Sequence, residues 1–375
     1  MKAGLLGRKL GHSLSPQIHR LFGDYDYRLY EREPDEVEAF LRTGFADGAF
    51  DFLNVTIPYK QTVFALCDAL SPMARKLGNV NFVTRAPDGR IVGDNTDAFG
   101  VERLLDSVGA DVRGMNCAVL GAGGAALTAR AVLEERGAAR VTLVRRGETP
   151  APDDALIVNA TPVGMFPDVD GARIDCADYP NCRYVIDLVY NPSPTRLVRE
   201  ARACGKASVD GLVMLIAQAY RAFCLTSGPD SSSLYLYGPP ASGKSTLAKK
   251  VAAATGKTLV DLDAEIVKAA GRGIPEIFAT EGEAAFRAME RRELARVVRG
   301  ENQVVALGGG ALLDDACRRM VEAAGRLVVL DCPLETLAAR LTGGDRPLSA
   351  NVARMEELMR RRAAHYASFP RHIRM

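Results

Sequence analysis

The chain has 375 residues, 47% of them hydrophobic and 25% charged, with a formal net charge of +2 at pH 7. That length exceeds one comfortable core and predicts two or three domains of ordinary globular composition. The near-neutral balance gives no electrostatic footing for nucleic acid or a membrane surface, and no apolar run reaches membrane-spanning length. Eight scattered cysteines, with no C-x-x-C pair and no Cys/His cluster at zinc spacing, predict free thiols in a reducing compartment. The first residues, broken by charge and glycine, do not read as a signal peptide, and a cytoplasmic location is expected.

A short strand is predicted at 2–6, followed by GRKLGHSLSP, in which Pro16 can open a helix. Ser15 fits the cap of that helix, and Ser13 and Ser15 together can present two hydroxyls to a polyol. The string FLNVTIPYK alternates as a strand through Phe52, Asn54 and Thr56 and ends near Lys60. Two further strand-to-turn junctions, GNVNFV (78–83) and GDNTD (93–97), are crowded with Asn and Asp. Each can be a simple turn, but four polar junctions within one hundred residues point to a hydroxyl-rich ligand.

A helix over roughly 98–108 leads to the strand CAVLG and then GAGGAA. Gly121, Gly123 and Ala126 fit G-x-G-x-x-A in the strand–turn–helix context of a dinucleotide site. The next strand, RVTLV, ends about twenty residues on at Arg145 and Arg146. An acidic residue there would suit the ribose hydroxyl of NAD; arginines suit a 2′-phosphate, hence NADP, the rival being a solvated basic pair.

Together these residues resemble the shikimate dehydrogenase family over residues 1 to about 226. The resemblance rests on HSLSP (12–16), NVTIPYK (54–60), GNVN (78–81), GDNTD (93–97), GAGGAA (121–126), NATPVGM (159–165), DLVYNPSPT (187–195) and DGLVMLIAQA (210–219). It implies substrate contacts at Ser13, Ser15, Thr56, Asn81, Tyr190 and Gln218, and a catalytic pair of Lys60 and Asp97. Gly121, Ala122, Gly123, Gly124, Ala125 and Ala126 would form the cofactor loop, joined by Arg145 and Arg146. The lysine cation would stabilise charge developing on the ketone oxygen, and Asp97 would hydrogen-bond the same oxygen or relay its proton. The pair of serines favours shikimate over quinate. The chain departs from the family between Val144 and Ala155, where only ten residues with two prolines replace a crossover that needs a dozen or more and is usually helical. A more open and weaker adenosine end is expected from that short connection, and the arginines stand as VRR where the family has Asn-Arg-Thr.

The stretch TSGPDSSSLYLYGPPASGKST divides the chain, with a polar linker at 227–233 and a strand entering G-x-x-x-x-G-K-S. In such a loop Gly238, Ser242 and Gly243 let backbone N–H groups converge on phosphate oxygens. Lys244 reaches the β/γ-phosphates, Ser245 holds Mg²⁺, and Thr246 continues the first helical turn. Asp261 and Asp263 are read as alternating on one face of the strand TLVDLDAEI, one serving the Mg²⁺ shell and the other a substrate hydroxyl. A glycine triplet, Gly308, Gly309 and Gly310, follows the strand VVAL and predicts close backbone approach. Strands and helices then alternate as in a parallel sheet.

This half resembles shikimate kinase. The resemblance implies Mg²⁺ contacts at Ser245 and Asp261, and shikimate contacts at Asp263, Arg287, Gly308 to Gly310 and Arg362. It implies a lid arginine at Arg346. Asp263 would orient or deprotonate the shikimate 3-hydroxyl while Lys244 and Arg346 neutralise the transferring group. Here the chain stops nine residues after Tyr366, where relatives continue through an adenine-contacting loop, and weaker ATP binding is expected.

The expected architecture is α/β throughout. A substrate-binding domain spans 1–100, with a helix at 211–226 packing back on it, and a Rossmann-like NADP domain spans 101–210. A P-loop kinase domain with a parallel sheet spans 234–375. The expected function is NADPH-dependent reduction of 3-dehydroshikimate followed by ATP- and Mg²⁺-dependent phosphorylation of shikimate. The alternatives are an active dehydrogenase carrying a non-catalytic nucleotide- or shikimate-sensing module, or a quinate dehydrogenase fused to another small-molecule kinase.

Overall fold

The computed structural model describes residues 1–11, 13–340 and 352–374. The chain separates into two compact units, one of Met1–Pro16, Tyr25–Gly228 and Ala253–Thr255, the other of Gln17–Asp24, Pro229–Ala252 and the residues from Gly256 onward.

In chain order the first half runs β1 (Lys2–Gly7), α1 (Ser15–His19), β2 (Asp26–Glu31), α2 (Val37–Ala46), β3 (Phe52–Val55), α3 (Lys60–Leu66), β4 (Ala69–Leu70), α4 (Pro72–Leu77), β5 (Phe82–Arg85), β6 (Ile91–Asp94) and α5 (Asp97–Ser107). Its sheet has the order β2-β1-β3-β5-β6-β4, with β5 antiparallel to both β3 and β6. Strand alternation sorts the two faces. On β3, Leu53 and Val55 join Leu6, Leu41, Val63 and Val83 in a core under α2 and α3. Phe52 faces the other way, packing with Phe82, Ala3 and Ala222.

Ala222 belongs to α8, and the elements before it form a second sheet: β7 (Asn116–Leu120), α6 (Gly124–Glu135), β8 (Arg140–Val144), β9 (Leu156–Asn159), β10 (Tyr184–Asp187), α7 (Arg196–Ala203), β11 (Ala207–Val209) and α8 (Leu212–Ser227). All its strands are parallel in the order β11-β10-β9-β7-β8. Because β8 and β9 lie on opposite sides of β7, the crevice used by dinucleotides in such sheets opens at the end of β7, where Gly121 follows. The connection from β8 to β9 contains no helix. It is extended chain with turns, and it leaves Arg140 and Thr142 of the edge strand exposed.

The second half runs β12 (Ser233–Tyr237), α9 (Lys244–Thr255), β13 (Thr258–Asp261), α10 (Leu262–Ala270), α11 (Ile274–Val297), β14 (Gln303–Ala306), α12 (Asp315–Ala324), β15 (Gly325–Asp331), α13 (Leu334–Arg340), α14 (Val352–Ala367) and β16 (His372–Arg374). The sheet is parallel, in the order β13-β14-β12-β15-β16. β12 is central and buried along its whole length, so its exit faces the switch point of the sheet. Helix α11 is broken at Gly282, whose φ of 81° is outside helical geometry.

Two readings are corrected here. Asp261 and Asp263 do not share a strand face: β13 ends at Asp261, which caps α10 by accepting the Asp263 N–H at 3.1 Å. A short acidic side chain at a strand end satisfies the next helix's orphan donor before the strand can continue. In the first half, α1 begins at Ser15 itself, and the Ser13 hydroxyl accepts the Ser15 N–H at 3.2 Å.

Candidate active sites

A cleft of about 1630 Å³ opens in the first unit. Ser13, Ser15, Thr56, Lys60, Asn81, Asp97, Tyr190 and Gln218 all line it, together with Ala125 of the glycine loop. Lys60 is the first residue of α3 and Asp97 the first of α5. The lysine ammonium pairs with Asp97 Oδ2, and Asn81 Nδ2 donates to Asp97 Oδ1 at 2.8 Å. The pairing of β5 with β6 sets Asn81 beside the 95–97 turn, where its Oδ1 accepts the Thr96 N–H at 2.6 Å. Asn79 accepts from Asn95 at 2.8 Å, so the two asparagine-rich junctions are laced into one wall.

Asn54 was not expected in the site. It shares the Phe52 face of β3, and Phe52 packs near Ala222 on α8; Gln218 lies one helical turn earlier on that helix. The Asn54 amide accordingly donates to Gln218 Oε1 at 3.4 Å, while its oxygen accepts from Tyr27 Oη at 3.0 Å. Burial pushes the Tyr27 and Tyr190 phenols upward, which keeps both as neutral hydrogen-bonding groups. The alternation Phe52, Asn54, Thr56 carried the signal for Asn54; its partner on α8 did not show in sequence.

The dinucleotide loop fits its group. Gly121 has φ 117° and would bring a Cβ to 3.2 Å from the Ala160 carbonyl, whereas Gly123 and Gly124 face open space at the start of α6. A diphosphate can approach that backbone and the helix N-terminus directly. Ala126 is fully buried, at the position that packs helix against strand in such loops. Arg145 and Arg146 are exposed at the end of β8.

In the second unit Gly238 has φ 134°, and a Cβ there would sit 2.7 Å from the Leu330 carbonyl. Gly243, at φ 97°, turns the chain into α9. Lys244 is buried and donates to the carbonyls of Gly238 at 2.9 Å and Pro239 at 2.6 Å, at the centre of a loop built for phosphate. Ser242 is buried in the same loop, and Thr246 is exposed in the first turn of α9. The Ser245 hydroxyl donates to Asp261 Oδ2 at 2.7 Å. One hydroxyl and one carboxylate are a donor set suited to Mg²⁺, which takes its remaining oxygens from water and nucleotide phosphates.

The glycine triplet gathers the other polar residues. A Cβ on Gly308 would meet Glu290 Oε1 at 2.7 Å and Asp263 Oδ1 at 3.1 Å, one on Gly310 would meet Arg287 Nη2 at 2.7 Å, and one on Gly309 would overlap Pro240 of the phosphate loop. The Gly309 carbonyl accepts from Arg362 Nη1 at 3.0 Å and Tyr366 Oη at 2.7 Å. Glu290 was missed in sequence, where Glu and Arg crowd α11. Its carboxylate is buried, pairs with Arg287 Nη1 at 2.5 Å, and is pushed above the usual carboxylate range by burial against the opposing pull of Arg287. Arg346 lies outside the described residues.

The folds and sites define a dinucleotide-type α/β oxidoreductase half joined to a P-loop phosphotransferase half. Residues 5–83 match the family model of the shikimate dehydrogenase substrate binding domain, and 240–374 match that of shikimate kinase. A shikimate dehydrogenase (NADP(+)) of Methylobacterium radiotolerans is 39% identical over 262 residues, covering 61% of this chain and 92% of the relative. One from Methanopyrus kandleri is 36% identical, covering 61% and 90%. The crystal structure of shikimate 5-dehydrogenase from Thermus thermophilus in complex with NADP(H) and shikimate aligns with a TM-score of 0.55 at 31% identity, covering 61% of this chain and 95% of that one. The chain belongs to the shikimate dehydrogenase family, with a shikimate kinase domain in its second half.

Proposed function

We propose that this bifunctional enzyme of the shikimate pathway reduces 3-dehydroshikimate to shikimate with NADPH and then phosphorylates shikimate with ATP and Mg²⁺. The observation that carries the first activity is the Lys60–Asp97–Asn81 cluster in a cleft walled by hydroxyl and amide groups. NADPH supplies the hydride. Ser13, Ser15, Thr56, Tyr190 and Gln218 hold the substrate's carboxylate and hydroxyls. Lys60 stabilises negative charge developing at the ketone oxygen, and Asp97 keeps the ammonium aimed there. Asn81 fixes the Asp97 carboxylate in turn. Arg145 and Arg146 hold the cofactor's 2′-phosphate.

In the second half Lys244 neutralises charge at the transferring phosphoryl group, and Ser245 and Asp261 hold the metal. Asp263 orients the shikimate hydroxyl as nucleophile, while Arg287 and Arg362 bind the shikimate carboxylate. No helix among the described residues is long and apolar enough to cross a membrane; biosynthetic reactions on small polar substrates support a cytoplasmic location.

Incubating the intact chain with 3-dehydroshikimate, NADPH, ATP and Mg²⁺ tests the whole reading. Shikimate 3-phosphate is the expected product. Accumulation of shikimate at saturating ATP would instead make the second half a sensing module.

A further inference from the structure

The turn after β8 is built by two separate segments. Arg145, Arg146, Gly147 and Glu148 close it, with the Glu148 N–H donating to the Arg145 carbonyl at 3.1 Å. Gly147, at φ 90°, supplies the left-handed residue that the turn needs. The Glu148 carboxylate folds back and accepts the Arg145 N–H at 2.7 Å. From the chain beyond β9, Arg173 reaches the same place: its Nη2 donates to the Arg145 carbonyl at 3.0 Å.

The charges at this turn differ from those at the other end of the same strand. At the opposite end of β8, Arg140 is neutralised by Asp153 at 2.7 Å and Asp154 at 3.1 Å. Arg145, Arg146 and Arg173 have no carboxylate partner among the described residues, and Glu148 is engaged with backbone. Arg173 spends one donor of its guanidinium on the turn, which leaves the rest of the fork for a second acceptor. No helix between β8 and β9 stands at this turn to supply such a group.

We propose that Arg173 is a specificity-determining residue of the dehydrogenase, completing with Arg145 and Arg146 a three-guanidinium site for the ribose 2′-phosphate. It does so from the segment after β9, in place of a group on a crossover helix. Three cations against one carboxylate favour a phosphate dianion over a ribose hydroxyl, so the site discriminates NADPH from NADH. This inference rests on the NADPH-dependent reading above.

The test compares the full-length chain with its Arg173→Ala, Arg173→Lys and Arg145→Ala/Arg146→Ala variants, using KM for NADPH and NADH and inhibition by 2′,5′-ADP and 5′-AMP. Arg173→Ala is expected to raise the KM for NADPH about tenfold more than that for NADH. It should weaken 2′,5′-ADP by the same factor relative to 5′-AMP, with Arg173→Lys intermediate. An equal rise for both cofactors would mean that Arg173 only props the turn, and would overturn the proposal, as would no change. If the unmutated chain does not prefer NADPH and the double variant alters no ratio, the NADPH reading itself fails. That result is distinct from a chain that prefers NADPH and ignores the loss of Arg173.

Discussion

Asn81 donates its side-chain N–H to Asp97 Oδ1 at 2.8 Å, which commits one carboxylate oxygen and leaves the other to Lys60. The Lys60 ammonium is therefore aimed through a chain of three side chains, the first of them held by the β5–β6 pairing.

Removing the cation tests that chain at its end. Lys60→Ala is expected to lower kcat of the reduction by roughly 10²-fold or more with little change in substrate KM, because a transition-state interaction is lost. Asn81→Ala should lower kcat less and raise KM as well, since Asn81 also lines the cleft. Steady-state kinetics with 3-dehydroshikimate at saturating NADPH separates the two patterns, and unchanged turnover in Lys60→Ala would remove that residue from the mechanism.

In the second half Glu290 is the buried counter-charge that holds Arg287 beside Gly310. Glu290→Gln should raise the KM for shikimate in the kinase assay by roughly tenfold to a hundredfold, since a charge-assisted bond of about 1.5–3 kcal/mol is lost. The dehydrogenase rate provides an internal reference in the same chain. A kinase KM equal to that of the parent would show that Arg287 needs no such partner.

Lys244→Ala should stop the two-step conversion at shikimate while NADPH oxidation continues. The lysine sits in the phosphate loop of the second unit, and the reduction draws on residues of the first. Product analysis by mass spectrometry reads this directly; formation of the phosphorylated product would exclude Lys244 from phosphoryl transfer.

Asp187 makes stability pH-dependent. Burial pushes its carboxyl up to about 6, against hydrogen bonds from Thr195, Val189 and Asn159. A carboxyl raised in the folded state contributes stability that is fully present below about pH 4 and lost as pH rises through about 6, on the order of 3 kcal/mol in total. Asp187→Asn can keep the acceptor for Val189 and Asn159 and donate to Thr195, so it should flatten that dependence. Hydrogen exchange of peptides covering β9 and β10 at pH 4.5 and 7.5 is the measurement; identical pH slopes in parent and variant would contradict it.

The stretch between the halves is not all spacer. Lys257 donates to the carbonyls of Asp230 at 2.8 Å and Ser232 at 2.9 Å, and Arg326 pairs with the Asp230 carboxylate. If the second half folds alone, a fragment starting at Pro229 should be more stable than one starting at Ser231, by about 3 kcal/mol for a broken buried pair. Equal urea midpoints would return Asp230 to the role of plain linker.

What the sequence by itself determined are the features whose physics is local. Gly121 and Gly238 announce phosphate-binding turns because positive φ and close backbone approach are demanded within a few residues, and Lys60 and Asp97 stand in motifs that resemblance reads whole. What only the tertiary structure decided are pairings across long separations. Asn54 meets Gln218, 164 residues away, through the facing of one strand and the docking of one helix. Glu290 is one acid among many on α11 until burial beside the glycine triplet singles it out, and Arg173 reads as a loop arginine until it reaches the Arg145 carbonyl 28 residues back. Even Asp261 and Asp263, two residues apart, differ from their strand reading, since the helix that starts between them makes one carboxylate a cap that also accepts from Ser245 and sets the other beside Gly308. Such contacts depend on register and packing summed over the whole core, and no window of local sequence contains that sum.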